Sequence, residues 1–229
     1  MAPLTLAHPN ALEPSSLELL ERLRSLTALD DMYLAGSAAL ALYLDHRPVS
    51  SLDWMSATCR LQPPDRRDLL QDLLALDPDA RVETARDGFL FVRSGAGVGL
   101  KFFYYPYPLI DPEEELDGLW VASALDLALM KLGAIISRGT RRDFVDFYLL
   151  SRKLDLDEIL DRSGEKFGHV LDFPLQALKG LVDFSLIEGE PLPRLNSALD
   201  WAGVRTTLES EARCAALNRL GTDPTQETQ

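Results

Sequence analysis

The sequence has few cysteines and fewer basic than acidic residues. Its 2 cysteines, Cys59 and Cys214, are far apart and do not have the spacing of metal ligands. Free thiols in a reducing compartment are the simplest interpretation, so we expect a cytoplasmic protein. With 23 Lys and Arg against 36 Asp and Glu, the formal net charge is -13. This charge argues against a protein that coats nucleic acid non-specifically, although it does not exclude a local basic site.

The sequence also has no apolar run of membrane-spanning length, so we expect no membrane partner. A hydrophobic content of 46% and a charged content of 26% are ordinary for a globular protein. The 229 residues suffice for one large domain or two small ones. The predicted parts are a flexible N-terminus (1–14), an α/β domain (15–118), a helical domain (119–221) and a disordered tail (222–229).

The segment 32–54 carries the clearest chemical pattern. Residues 32–35 predict a short buried strand, and Gly36 permits a sharp turn after it. Ser37 is predicted to N-cap the helix that follows, whose free N–H groups and positive dipole end suit a phosphate. Asp53 lies on the next predicted strand, where its carboxylate could hold a metal ion beside that phosphate.

The predicted sheet has strands at 32–35, 51–57, 81–92 (one strand or two) and 98–105. Aromatic residues fill the last of these segments and continue into a Tyr-Pro-Tyr-Pro element. Core packing and the wall of a groove are the favoured interpretation of these aromatics, and direct base stacking is the alternative.

A helix is predicted over 121–137, with Ser123 as its N-cap. It is apolar nearly all round, so Lys131 should be partly buried and should need an anion as its partner. A turn then leads into a helix that carries Asp143 and Asp146. Each residue also has a structural interpretation: Lys131 can extend to the surface, and Asp143 can cap its helix. Asp146 can pair with a nearby arginine, and Asp53 can pair with Arg47.

These blocks resemble the nucleotidyltransferase superfamily, and within it the AbiEii/AbiGii toxin family. That family carries Leu-Ala-Gly-Gly/Ser-Thr/Ala-Ala-Leu, then Gly-His-Arg, then Asp-x-Asp-Phe, and the matching residues here are 34–40, 45–47 and 51–54. A later family block that contains Lys and Arg-Asp-x-x-Asp matches Asp126, Lys131, Arg138, Asp143 and Asp146. The resemblance covers about residues 15–205.

The resemblance implies an α+β fold: a nucleotidyltransferase-like mixed β-sheet flanked by helices, with a helical C-terminal half. It implies transfer of a nucleoside monophosphate from an NTP to an acceptor, with Mg²⁺ if the protein is active. Relatives act as toxins of toxin–antitoxin pairs, so the implied partners are tRNA or another RNA acceptor and a cognate antitoxin. The implied catalytic residues are Asp53, Asp143 and Asp146; the phosphate-binding residues are Gly36, Ser37, Arg47, Lys131, Arg138 and Arg142; and the metal ligand is Asp53.

The sequence departs from the family pattern at three acidic positions. Ser51 replaces the first acid of the Asp-x-Asp pair, Lys101 lies near the place of a third acid, and Ser185-Leu186 replaces a later acid pair. Mg²⁺ prefers carboxylate oxygens, so a serine is a weak ligand and a lysine would repel the ion. Two interpretations stay open. The protein either transfers nucleotides with Asp53 and a later acid, or it binds a nucleotide or a protein partner without transfer.

Overall fold

The computed structural model describes residues 11–116 and 118–221. Most of the predicted flexible N-terminus and the whole predicted tail lie outside these residues. The chain divides into two compact units, one that extends to Leu127 and one that begins at Ala128. Within the described ranges, no helix has the length and apolar character needed to cross a membrane.

The strands are β1 (Tyr33–Ala35), β2 (Ser51–Ser56), β3 (Arg81–Arg86), β4 (Phe89–Arg93), β5 (Gly99–Tyr104), β6 (Glu114–Leu116) and β7 (Leu119–Val121). The helices are α1 (Pro14–Leu23), α2 (Gly36–Leu44), α3 (Pro63–Leu76), α4 (Ala124–Ser137), α5 (Arg141–Ser151), α6 (Leu156–Phe167), α7 (Phe173–Val182) and α8 (Trp201–Leu220).

All seven strands form one mixed sheet in the order β3-β4-β5-β2-β1-β7-β6. Strand β2 pairs antiparallel with β1 and parallel with β5. Strand β1 is parallel to β7 on its other side. The mixed sheet and the helical second half confirm the predicted α+β fold class. The predicted segment 81–92 is two antiparallel strands.

Burial alternates from residue to residue along the central strands, so the sheet has a core face and an open face. In β2, Leu52 and Trp54 are fully buried, whereas Asp53 between them is partly exposed. In β5, Phe102 is fully buried, and its neighbours Lys101 and Phe103 are half-buried. Because paired residues in register lie on the same side of a sheet, Asp53 and Lys101 share the open face.

The start of α2 differs from the prediction that Ser37 is its N-cap. The N-cap is Ala35, whose side chain makes no capping hydrogen bond, and the helix begins at Gly36. Because Ser37 lies within the first turn, its hydroxyl is free to meet a side chain instead. The first N–H groups of α2 thus receive no hydrogen bond from the side chain of the N-cap residue.

The starts of α4 and α5 are set by side-chain caps. Ser123 accepts a hydrogen bond from the Asp126 N–H at 3.0 Å, so the predicted cap is confirmed, but Val121 ends a strand rather than beginning the helix. At α5 the N-cap is Thr140, and Asp143 is the third residue of a reciprocal capping box. In the structural alternative for Asp143 this residue would be the N-cap, but the helix begins two residues earlier and Asp143 caps it from the third position.

Each unit has its own aromatic core. In the first unit Tyr43, Trp54 and Phe102 are almost completely buried. In the second, the Phe144 ring lies 5.0 Å from that of Phe184, and Trp201 packs edge-on against both rings. These rings connect α5 and α8 to the segment after α7.

Candidate functional site

Gly36 brings the start of α2 into direct contact with β2. Its φ is +60°, and a Cβ atom at this position would lie 2.7 Å from Oδ2 of Asp53. The register that pairs Ala35 with Asp53 sets this approach. The Asp53 carboxylate therefore lies against the N-terminal turn of a helix, where the dipole is positive. This is the place where the sequence predicts a bound phosphate.

Lys101 lies directly across from Asp53 on the neighbouring strand. The distance from Lys101 Nζ to Asp53 Oδ1 is 3.5 Å, and the two side chains are 32% and 20% exposed. Within the described part of the chain, the buried Oδ1 atom has no hydrogen-bond donor. The ion pair is therefore the interaction that balances the charge on this oxygen. Lys101, which the resemblance puts near the place of a third acid, therefore lies beside Asp53 in this structure.

Arg47 lies next to the same turn. Its guanidinium group donates a hydrogen bond to the Ser37 hydroxyl, although the Arg47 side chain itself is buried. Asp45, which ends α2 with a left-handed backbone conformation (φ 43°), reverses the chain and brings Arg47 back towards the start of the helix. Gly36, Ser37, Arg47 and Asp53 thus form one group. Its cation is Arg47 and its acid is Asp53, and Lys101 on β5 lies next to it.

The donors in this group do not fit a conventional magnesium site. Mg²⁺ is usually bound through one or two carboxylates together with the phosphates of its substrate, and a cation beside the carboxylate works against such binding. Here Asp53 is accompanied on its own strand by Ser51, and the facing position on β5 is Lys101. Among the described residues there is no cluster of three or more His, Cys, Asp or Glu side chains suited to a metal ion.

The other predicted site residues form a second group in the unit that begins at Ala128. Lys131 Nζ lies 3.1 Å from Oδ1 of Asp143 and 2.7 Å from Oδ2 of Asp146. All three residues are buried, and Asp146 is completely so. The prediction that buried Lys131 has an anionic partner is confirmed, and the partners are the two acids of the Arg-Asp-x-x-Asp block.

Asp143 has several charged and polar partners in this second group. Burial would raise the pKa of its carboxyl, but the Lys131 ammonium, the Thr140 hydroxyl and the Arg138 guanidinium outweigh burial and lower that pKa. The Thr140 hydroxyl donates to Oδ2 at 2.6 Å, and Arg138 approaches the same atom to 3.5 Å from an exposed position. Arg142, the remaining predicted phosphate ligand, is exposed on α5.

Asp126 is a completely buried carboxylate that holds a loop in place. It accepts hydrogen bonds from the N–H groups of Ile110 and Asp111 at 3.1 and 3.3 Å, and from the Ser123 hydroxyl at 2.8 Å. These contacts fix the loop that follows the Tyr-Pro-Tyr-Pro element. The acid belongs to the matched sequence block, and its contacts here are structural.

The open face of β4 and β5 combines rings with cations, which the sequence interpretation missed. Phe89 and Phe103 are partners in the register, and their ring centroids are 4.9 Å apart. Phe91 faces Lys101, whose Nζ is 5.8 Å from the ring centroid. The guanidinium groups of Arg86 and Arg93 lie 5.1 and 5.2 Å from the rings of Phe89 and Phe91. We call Arg86, Phe89, Phe91, Arg93, Lys101 and Phe103 the aromatic–basic face.

Comparison with known proteins adds one close relative and a set of structural neighbours. No family model matches the sequence. An uncharacterized protein of Aquifex aeolicus, aq_aa25, is 33% identical over 171 residues, which is 73% of this chain and 80% of the relative. The chain belongs to the family of this Aquifex protein.

The solved structures identify the fold of this family. JHP933 from Helicobacter pylori has a TM-score of 0.52 and 18% identity, and the match covers 92% of this chain and 99% of that one. MenT4, the nucleotidyltransferase toxin Rv2826c of Mycobacterium tuberculosis, has a TM-score of 0.53 and 14% identity, with coverage of 93% and 89%. The fold is that of the nucleotidyltransferases, as the sequence resemblance predicted.

Proposed function

We propose that the protein is an AbiEii-like nucleotidyltransferase that transfers a nucleoside monophosphate from an NTP to a hydroxyl group of an RNA. The observation that carries this proposal is the Asp53 carboxylate against the first turn of α2, a close approach that Gly36 permits because it has no Cβ atom. A helix N-terminus binds phosphate, and an adjacent acid can act on the attacking hydroxyl. The nucleotidyltransferase fold supports the same assignment.

The reaction assigns one task to each member of the first group. The N–H groups at Gly36 and Ser37 and the Arg47 guanidinium bind the triphosphate. The acceptor oxygen attacks the α-phosphorus, the bond from that phosphorus to the bridging oxygen of the β-phosphate breaks, and pyrophosphate leaves. Asp53 takes the proton from the hydroxyl. Catalytic roles for Asp143 and Asp146 stay a prediction, since both acids are paired with Lys131.

The aromatic–basic face supports RNA as the acceptor. It shares the open side of the sheet with Asp53, because Phe91, Lys101 and Asp53 follow one another across the register. Half-buried rings and guanidinium planes stack on unpaired bases, while the cations attract the phosphates. Glu83, which pairs with Arg93 at 2.7 Å, is the nearest competing charge. A single-stranded end or loop of an RNA fits this surface better than a duplex does.

A toxin role follows as part of the same proposal. MenT4 is a nucleotidyltransferase toxin by name, and its fold is shared by this chain. Modification of an essential RNA would stop growth, and a neutralising antitoxin would then be the cognate partner. Expression of the protein alone in bacteria should slow growth, and Asp53→Ala should relieve the arrest.

A second candidate function is binding of a nucleotide or a protein partner without transfer. The Lys101–Asp53 pair favours it, because the ammonium lies 3.5 Å from the carboxylate, near the place that the resemblance assigns to a third acid. Ser51 favours it as well, since a hydroxyl is a weak ligand for a divalent ion. This candidate keeps the phosphate contacts of Gly36, Ser37 and Arg47 but lacks turnover.

The deciding experiment measures transfer of label from each of the four α-labelled NTPs to total RNA, with and without Mg²⁺. We expect one NTP to label RNA, and Asp53→Ala to abolish the labelling. The matched control is Glu18→Gln, which neutralises an exposed acid on α1. NTP binding without labelling would favour the second candidate, and labelling by Asp53→Ala would refute the assigned role of Asp53.

The acceptor surface is tested separately, by fluorescence anisotropy with single-stranded oligonucleotides. Phe91→Ala should weaken RNA binding by about 1–3 kcal/mol, which is the typical contribution of one stacked base. Trp120→Ala is the control, because Trp120 is an exposed aromatic of the same sheet on the distant strand β7. Equal losses in both variants would mean that the aromatic–basic face does not bind the strand.

A further inference from the structure

The positive charge next to Asp53 comes from the chain itself. Lys101 reaches the carboxylate from β5, and the register fixes its backbone directly opposite that of Asp53. Arg47 contributes a second cation at the same helix turn through its hydrogen bond to Ser37. In a nucleotidyltransferase these charges face the triphosphate, where divalent ions ordinarily neutralise the developing negative charge.

The Asp53 carboxylate is constrained on both oxygens. Oδ2 packs against Gly36, and the buried Oδ1 has Lys101 Nζ at 3.5 Å. A divalent ion that used Oδ1 as a ligand would have to lie about 2 Å from it, within a few ångströms of the ammonium. Repulsion between the two cations disfavours that arrangement, and Ser51 supplies no compensating charge.

We propose that Lys101 takes the place of the divalent ion, so that the triphosphate of the NTP binds here without a metal. A lysine ammonium is a compact point charge on a flexible stem, and it binds phosphate oxygens in many proteins. Lys101 is 32% exposed, so its ammonium can reach a phosphate while it stays close to Asp53. This inference rests on the proposed function, because it takes the NTP to bind at the start of α2.

The test is calorimetric titration of the full-length protein with each NTP, once in EDTA and once in Mg²⁺. The wild-type dissociation constant should agree within about twofold between the two buffers. Lys101→Glu places a second carboxylate beside Asp53. It should lose affinity by about tenfold or more in EDTA and regain it in Mg²⁺. Lys179→Glu, the same charge reversal on an exposed lysine of α7, should behave as wild type.

Binding of Mn²⁺ in the absence of nucleotide, measured by electron paramagnetic resonance, gives an independent readout. Wild-type protein should leave the Mn²⁺ signal unchanged, and Lys101→Glu should reduce it. A wild-type affinity for NTP that rises tenfold or more with Mg²⁺ would overturn the role of Lys101 and leave the proposed function intact. Absence of NTP binding in both buffers would overturn the proposed function together with this inference.

Discussion

The carboxylate of Asp53 occupies the space that a side chain on Gly36 would need. A Cβ atom there would lie 2.7 Å from Oδ2 and 3.3 Å from the Asp53 Cβ atom. The Asp53 side chain is short, and its backbone is held by the pairing of β2 with β1, so it has little freedom to move aside. The glycine therefore sets the distance between the helix start and the acid.

Gly36→Ala should both destabilise the protein and disturb the site. The left-handed backbone of residue 36 costs alanine about 1–2 kcal/mol. The overlap with Asp53 adds about 1–3 kcal/mol. We therefore expect the free energy of unfolding in urea to fall by about 2–5 kcal/mol.

Gly97→Ala separates these two contributions. Gly97 also has a positive φ, +85°, but a Cβ atom there would meet nothing within 4 Å. Gly97→Ala should therefore lower the free energy of unfolding only by the backbone cost of about 1–2 kcal/mol. Equal losses in the two variants would mean that the Asp53 contact contributes nothing to the requirement for glycine at residue 36.

Lys131→Met should be strongly destabilising, because it leaves two buried carboxylates without their common cation. Removal of one partner of a buried ion pair costs about 3–5 kcal/mol. Urea unfolding of this variant should show a loss of that size, and the same change at the exposed Lys153 should cost little. If Lys131→Met keeps the wild-type free energy of unfolding but binds NTP more weakly, the result would instead support the role of Lys131 as a phosphate ligand.

Acid should unfold the protein partly through Asp143. Because the folded-state pKa of this carboxyl is lowered, its contribution to stability is complete above the unfolded-state pKa of about 3.9. That contribution is lost as the pH falls from there through the folded-state value. Asp143→Asn should therefore lower the melting temperature at pH 7 and flatten its decline below about pH 4. Glu18→Gln, on an exposed face of α1, should leave the decline unchanged.

Much of the first group was predictable from local sequence. The strand-turn-helix pattern around Gly36 and the strand that carries Asp53 are both present at the predicted positions. Proximity of Lys101 to Asp53 was also expected, but its form depends on the parallel pairing of β2 with β5. Two segments more than 40 residues apart contain no local signal of their register, because register is fixed by the whole sheet.

Other features were not predictable for identifiable reasons. The hairpin of β6 and β7 has strands of 3 residues each, and Glu114-Glu115 has low strand propensity. This hairpin therefore depends on the pairing of β7 with β1, which the local sequence does not indicate. Asp146 was expected to pair with an arginine if its role is structural, but it pairs with Lys131. That contact depends on how α5 packs against α4, which helical spacing alone does not reveal.

Strand β3 ends the sheet on one side, and all six of its residues are exposed. An uncovered outer strand offers free N–H and C=O groups to any other extended chain. Here Arg81, Glu83 and Arg86 place alternating charges along that border, and the register shifts between Val82 and Thr84. Both devices discourage a foreign strand from docking. The border next to the aromatic–basic face is thus protected from pairing with another extended chain.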